Sequence, residues 1–352
     1  CASLITTKLL INSTISTPGA RFGTVDIKNF YYGTPLDRYE YMRIKYDEIP
    51  QEIIDAYNLT PLEHNGSIYM EIRKGMPGLK QAGRIANNRL VKHLATYDYH
   101  PTPNTPALWT HETRNISFAL VVDDFGICYH RTADLNHLVG ALSDIYHVKV
   151  HPTGTKFHGL TADYNRTART ITISYPGFIK ALLTRVRPDG IKYADTPAIY
   201  TPPSYGRKGP QPATQLPPST PATTDEVSQL RTIVGSHLYY ALAIDSTLLP
   251  VVCALACQQA CATAHTLKAA ERLLGYVAKH PNASITYRPS DMLLRAHSDA
   301  SFLSRPNSGS VAGGYHYLGN RQNPKAFNHP TLTVSTLIPV IVASATEAEY
   351  AA

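Results

Sequence analysis

Two aspartates, Asp123 and Asp124, stand side by side in the apolar stretch SFALVVDDFGICY (Ser117–Tyr129). Burying an unpaired charge is expensive. A β-hairpin resolves the conflict: SFALVV and FGICY form two apolar strands, and Asp123-Asp124 fall at the turn between them, where Asp is tolerated and escapes the core. Such a turn can be an ordinary hairpin tip. It can also do chemistry. Two clustered carboxylates repel, which raises one pKa, and a divalent cation removes the repulsion. Mg²⁺ takes oxygen ligands, typically one or two carboxylates together with substrate phosphates. Neighbouring strand side chains point to opposite faces, so one aspartate would face an ion while the other flanks it. A third carboxylate from another strand would complete the set. Asp26, in TVDIKNFYYGTPL, is the candidate: it follows a short apolar approach (Phe22, Val25) and precedes Phe30-Tyr31-Tyr32. A lone Asp at a strand end can equally be a cap or turn residue.

The elements that must hold these acids are legible from hydrophobic period. ARFGTVDIKNFYY and ISFALVVDDFGICY read as strands. KQAGRIANNRLVKHLATY and PGFIKALLTRVR read as helices, with Pro176 opening the second. YHVKVHPTGTKFHGLTADYNRTARTITISY reads as paired strands with DYNRTAR as a turn. Residues 193–224 are rich in Pro and Thr and read as an extended linker. Residues 225–280 carry apolar residues at helical spacing, and strand character returns after them. Cys253, Cys257 and Cys261 recur every four residues, which lines up one helical face. They are expected to face a core, because no Cys-x-x-Cys or His pair makes a metal site of them.

The chain has 352 residues, of which 43% are hydrophobic, enough for two or three domains. A formal charge of +7 with only 17% charged residues leans toward a polyanionic partner, and also suits a merely basic protein. No apolar run is long enough to span a membrane. The first residues, CASLITTKLL, carry no Met, basic region or cleavage site, so they are expected to be the cut edge of something longer rather than a signal peptide.

Four motifs then occur in order: Asp26 in DIKNFYYGTP, KGMPGLKQAG (Lys74–Gly83), VVDD (Val121–Asp124) and FHGL (Phe157–Leu160). The chain resembles the reverse transcriptase of Ty1/copia-type retrotransposon Pol polyproteins. That family's pattern runs Asp-Val-Lys-x-Ala-Phe-Leu, Tyr-Gly-Leu-Lys-Gln-Ala, Val-Asp-Asp and Phe-Leu-Gly. Pro77 and His158 depart from it, standing where the family has Tyr and Leu. The resemblance implies an RNA-directed DNA polymerase using two Mg²⁺ ions, with Mn²⁺ as a substitute. It implies Asp26 and Asp123 as the main metal ligands and Asp124 as the third carboxylate. Tyr31 matches the aromatic position that crowds the sugar 2′-carbon, Gln81 the nucleotide contact, and Lys80 a phosphate contact. Phe157, Gly159 and Leu160 would support the primer. The implied partners are RNA or DNA template–primer, dNTPs and other parts of the polyprotein. The implied location is a cytoplasmic virus-like particle with nuclear entry, not secretion.

RAHSDASF and SATEAEY resemble the ribonuclease H segment of the same polyproteins, implying Asp299 and Glu349 as its acids. Ser344 and Glu347 read as a capping box, and Glu349 lies about 200° around the helix from Glu347. The family's further aspartates would follow residue 352, so this nuclease is expected to be incomplete. A basic fingers segment would precede residue 1. The expected fold class is α+β: an antiparallel right-hand palm with partial fingers (1–192), the linker (193–224), a helical thumb or connection (225–285) and a truncated ribonuclease H-like α/β domain (286–352). The other reading is a catalytically silent retroelement remnant that at most binds nucleic acid.

Overall fold

The computed structural model describes residues 1–199, 219–305, 309–323 and 326–352. Most of the expected Pro-rich linker therefore lies outside the described residues. Along the chain run α1 (Leu4–Ser16), β1 (Arg21–Ile27), β2 (Pro35–Lys45), α2 (Gln51–Tyr57), β3 (Ser67–Lys74) and α3 (Ala82–Ala95). Next come β4 (Tyr99–Thr102), β5 (Thr105–His111), β6 (Ile116–Val121), β7 (Asp124–Tyr129), α4 (Thr132–Ser143) and β8 (Val148–His151). They are followed by β9 (Lys156–Phe157), β10 (Leu160–Asn165), β11 (Thr170–Ser174), α5 (Phe178–Val186), α6 (Thr224–Ala243), α7 (Leu249–Cys257) and α8 (Ala264–Lys279). The chain closes with β12 (Ser284–Tyr287), β13 (Leu293–Arg305), β14 (Gly309–Gly319), β15 (Pro330–Leu337) and α9 (Ala345–Ala351). No helix among the described residues is long and apolar enough to cross a membrane.

The chain divides into two units: Gly23–Pro152 with Cys1, and Ala2–Phe22 with Thr153–Ala352. The first holds a six-stranded sheet in the order β4-β5-β6-β7-β1-β8. Its β4/β5, β5/β6, β6/β7 and β1/β8 pairs are antiparallel. Period-2 alternation sends Phe118, Phe125, Ile127, Val25 and Ile27 into one core, where α3 contributes Leu90 and Leu94 and α4 contributes Leu138 and Leu142. The four-residue spacing of Ala82, Ala86, Leu90 and Leu94 is the apolar stripe that makes α3 a covering helix. A separate antiparallel ribbon, β2 with β3, belongs to the same unit.

The second unit holds α1, the helices α5 to α9 and two small sheets. One sheet runs β12-β11-β10-β9 and the other β13-β14-β15. β12 pairs antiparallel with β11, so a strand arriving after α8 completes a sheet begun before α5. The turn of the β10/β11 hairpin is shorter than DYNRTAR, because β10 continues to Asn165. Gly177, in a left-handed conformation, caps α5, and Pro176 stands one residue outside it. Phe178 of α5 stacks on Tyr240 of α6 with ring centroids 5.3 Å apart. The cysteines depart from expectation. α7 buries Leu249, Val251, Val252 and Leu255 instead, Cys257 and Cys261 are exposed, and only Cys253 is partly buried. The helix ends at Cys257, so the four-residue period does not carry Cys261 onto the same face.

One buried acid fixes how α4 starts. Asp134 has no exposed surface. It accepts hydrogen bonds from Arg131 Nε and Nη2, both 3.0 Å, and from Arg114 Nη1 at 3.2 Å. Arg131's hydrogen bonds, more than its opposed burial, hold the Asp134 carboxyl below the usual carboxylate range. A carboxyl with a depressed folded pKa stabilises the fold above its unfolded pKa, about 3.9, and loses that contribution as pH falls through the folded value. Asp134→Asn is therefore expected to lower the urea midpoint at pH 7, with the gap to wild type narrowing below about pH 4. A gap independent of pH would refute the charged role of Asp134.

Candidate active site

The β6/β7 hairpin closes with Val121 opposite Asp124. The two turn residues are therefore Val122 and Asp123, one position earlier than the sequence suggested, and Asp124 opens strand β7. Val122 has φ +59° whereas Asp123 does not have positive φ. A positive φ at the first central position alone is the pattern of a type II′ turn, where Gly is preferred. A β-branched residue there is a steric outlier, and such strain costs on the order of 1–3 kcal/mol.

The tip is joined to β1 by the backbone: Ile27 N–H donates to Asp123 O at 3.0 Å. That bond carries Asp26 alongside Asp123. Burial pushes the Asp123 carboxyl pKa up, and the Asp26 charge adds to the shift against a backbone hydrogen bond that lowers it. Val25 and Ile27 face the helix-covered core, as do Phe125 and Ile127. Alternation therefore assigns Asp26 and Asp124 to the opposite face of the sheet. Asp26, Asp123 and Asp124 are all partly buried. Among the described residues no group of three or more His, Cys, Asp or Glu side chains is placed to hold a metal ion. The donor set brought together is thus the Asp26–Asp123 pair, with Asp124 beside it in the chain.

KGMPGLKQAG wraps Tyr31. A Cβ on Gly75 would stand 2.7 Å from the Tyr31 carbonyl oxygen, and one on Gly83 would stand 3.7 Å from its hydroxyl. Gly75 N–H donates to Thr34 O at 2.8 Å, and Thr34 N–H to Tyr31 O at 2.9 Å. Tyr31 is half-buried, tilted against Phe30 at 5.6 Å. Gln81 immediately precedes α3, and its Nε2 donates to Glu40 Oε1 at 2.6 Å. Lys80 is exposed. Glu40 was not foreseen. Its only signal is an acid on the inner, half-buried side of the ribbon, an unusual place for an unpaired charge.

In the second unit, Phe157 pairs with Leu160 across a two-residue turn, His158-Gly159. Both turn residues have positive φ, +55° and +74°, as a type I′ turn demands. Phe157 and Leu160 are buried core residues. The turn is braced by Thr7 Oγ1 at 3.0 Å from His158 Nδ1 and by Tyr239, whose hydroxyl donates to His158 O at 2.9 Å. Burial pushes the His158 imidazole pKa down.

The second pair of acids lies on β13 and α9. Asp299 pairs with Gly313 and is exposed. Its neighbour Ala300, with Phe302 and Ala312, packs in the cluster containing Ala348 of α9. Alternation then assigns Asp299 to the other face of that sheet. Glu349 follows Ala348 and is exposed. Half of the expected capping box is present, since Ser344 Oγ accepts from Glu347 N–H at 3.1 Å. The Glu347 carboxylate reaches one residue further back, to Ala343 N–H at 2.6 Å.

The raised Asp123 pKa has a stability consequence. A carboxyl whose folded pKa lies above its unfolded one favours the fold most when protonated, and that advantage is lost as pH rises through the folded value. Asp123→Asn is therefore expected to raise the thermal midpoint at neutral pH, with the gain vanishing at acid pH. Equal midpoints at pH 7 would show that Asp123 carries no such burden.

No family model matches the chain. The chain is 30% identical over 283 residues, 79% of its length, to the retrovirus-related Pol polyprotein from transposon RE2 of Arabidopsis thaliana. It spans 18% of that relative's length. The similarity supports a retrotransposon-related function and a place in a Pol polyprotein of this kind.

Proposed function

We propose that the chain carries the polymerising centre of an RNA-directed DNA polymerase of the copia type, acting on RNA or DNA template–primer and dNTPs. The observation that carries the reading is the Asp26–Asp123 pair. Two acids remote in sequence meet at a strained hairpin tip, where burial and like charge both oppose ionisation of Asp123. A bound divalent cation would reverse both effects. The oxygen-only donor set fits Mg²⁺, which is commonly held by one or two carboxylates with substrate phosphates. Mn²⁺ suits the same ligands. Asp26 and Asp123 would hold the ions, and Asp124 would be the flanking third carboxylate. When bound, the ions would activate the primer 3′-hydroxyl and neutralise charge on the triphosphate and departing pyrophosphate.

The chain's own residues then supply position. The Ile27–Asp123 backbone bond fixes the spacing of the two acids. Tyr31, backed by Gly75 and Gly83, forms a wall against which a ribose 2′-hydroxyl would collide, favouring deoxynucleotides. Glu40 orients the Gln81 amide at the start of α3, where it would meet the incoming nucleotide, and Lys80 would reach its phosphates. The His158-Gly159 turn, set by Phe157 and Leu160, would support the primer. Asp299 and Glu349 form no part of this reading.

Primer extension on an RNA template with Mg²⁺ or Mn²⁺ tests it. Losing one pre-organised electrostatic group typically costs about 10²–10³ in rate. Asp26→Asn and Asp123→Asn should each reduce incorporation by on the order of 100-fold or more. Equal background incorporation by wild type and both variants would leave the silent-remnant reading in its place.

A further inference from the structure

The β2/β3 ribbon has two unlike faces. Met42 and Ile44 of β2, with Ile68, Met70 and Ile72 of β3, point inward and are buried or half-buried. The outward face carries Tyr39, Tyr41, Arg43 and Lys45 from β2, and Tyr69 and Arg73 from β3, all exposed. Tyr39, Tyr41 and Tyr69 are 45%, 71% and 61% exposed. The register places Tyr69 opposite Arg43 and Glu71 opposite Tyr41. Along β2 two aromatic positions precede two basic ones, and on β3 Glu71 stands between Tyr69 and Arg73.

A ribbon that needed only solubility would not put three tyrosine rings in water on one face. Two of the rings, Tyr39 and Tyr41, are also held in place. Tyr41 donates its hydroxyl to Glu71 Oε2 at 3.0 Å, and Arg73 Nε donates to Glu71 Oε1 at 2.6 Å. The Arg73 guanidinium lies 5.5 Å from the Tyr39 ring centroid. Arg43 Nε donates to Ser67 Oγ at 3.0 Å. Arg43, Lys45 and Arg73 stand with the acids Glu71 and, near the exposed start of β2, Asp37, and Lys45 also reaches Glu48 at 3.4 Å. Tyr39 and Tyr41 are thus ordered before any partner arrives, which lowers the entropy lost on binding.

We propose that this face binds single-stranded nucleic acid, with bases stacked on Tyr39, Tyr41 and Tyr69 and phosphates met by Arg43, Lys45 and Arg73. Stacked aromatics along a basic track are the physical requirement for sequence-tolerant single-strand binding. An acidic protein segment would use the cations and leave the rings without a role. Duplex nucleic acid would likewise offer phosphates but no free base faces. The inference goes beyond the polymerising centre and stands whether or not Asp26 and Asp123 are catalytic.

The test is equilibrium binding of fluorescent 15-nucleotide oligo(U) and oligo(dT) to the full chain, in EDTA, across 50–200 mM salt. Tyr41→Ala with Tyr69→Ala should weaken binding about tenfold or more, whereas Tyr41→Phe with Tyr69→Phe should hold it near wild type. Arg43→Gln with Arg73→Gln should flatten the slope of log affinity against log salt by roughly 0.7 for each cation removed. Unchanged circular dichroism and urea midpoints show that the variants are folded, as expected for exposed positions. Wild-type binding that survives the alanine pair overturns the proposal, and so does failure of the wild type to bind either oligonucleotide. Preference for an acidic peptide or a blunt duplex over the single strand overturns it too. Primer extension is read separately, so loss of that activity with binding intact rejects the polymerase alone.

Discussion

Like charge held at a strand joint is the constraint on which the first unit turns. Ile27 N–H bonds to the Asp123 carbonyl, and the same pairing that completes the sheet presses Asp26 toward Asp123. Nothing in hairpin formation requires an acid at that tip, and the positive φ that the two-residue turn needs, +59°, falls on a valine instead of a glycine. Both features oppose stability at one turn. Costs of this kind persist where the surroundings over-determine the geometry. Here the surroundings are the buried helix–sheet core, in which Phe118 lies 5.1 Å from Phe125 and stacks on Trp109 at 5.6 Å. The rigid side of the sheet supports the strained end.

The same economy links the acids to the ribbon. α3 contributes core residues along one stripe, and its start is where Gly75, Gly83 and Gln81 meet Tyr31 and Glu40. The glycines are there for close approach: a Cβ on Gly75 cannot coexist with the Tyr31 carbonyl at 2.7 Å. Glu40 belongs to the ribbon's inner face and Tyr39 and Tyr41 to its outer one. The alternation that presents the tyrosines to solvent therefore also delivers Glu40 to Gln81. A one-residue slip in the β2/β3 register would exchange the two faces, losing the Glu40–Gln81 bond and burying cations together.

Much of this was legible in the sequence where period and burial agree. SFALVV and FGICY are short apolar runs, and they form the central hairpin. The four-residue stripe of α3 is visible, as are the long helices α6 and α8. The turn itself was placed one residue late, because an Asp-Asp pair looks like better turn material than Val-Asp. Only the pairing of Val121 with Asp124 decides it. α1 was invisible for a different reason. Its buried residues include Thr6, Thr7, Lys8, Asn12 and Thr14, so no apolar period marks it. Tertiary partners compensate: Lys8 Nζ donates to Leu242 O at 2.7 Å, and burial lowers its pKa to about 8. The partner of β12 is hidden, since no local pattern says that a four-residue strand will pair with β11, more than a hundred residues earlier.

The two sets of acids show what sequence motifs leave undecided. Each set looks alike in text: an Asp on a strand and an acid downstream beside apolar residues. The difference is geometric. In the first unit the downstream acid sits on a hairpin tip, outside the alternation, where a backbone bond to the neighbouring strand can bring it to Asp26. In the second, Asp299 is bound by the alternation of β13, which sends Ala300 and Phe302 toward the cluster that receives Ala348 of α9. Asp299 must then take the other face. The apolar packing of α9 thus decides which face Asp299 takes, whereas no alternation constrains Asp123 at its tip.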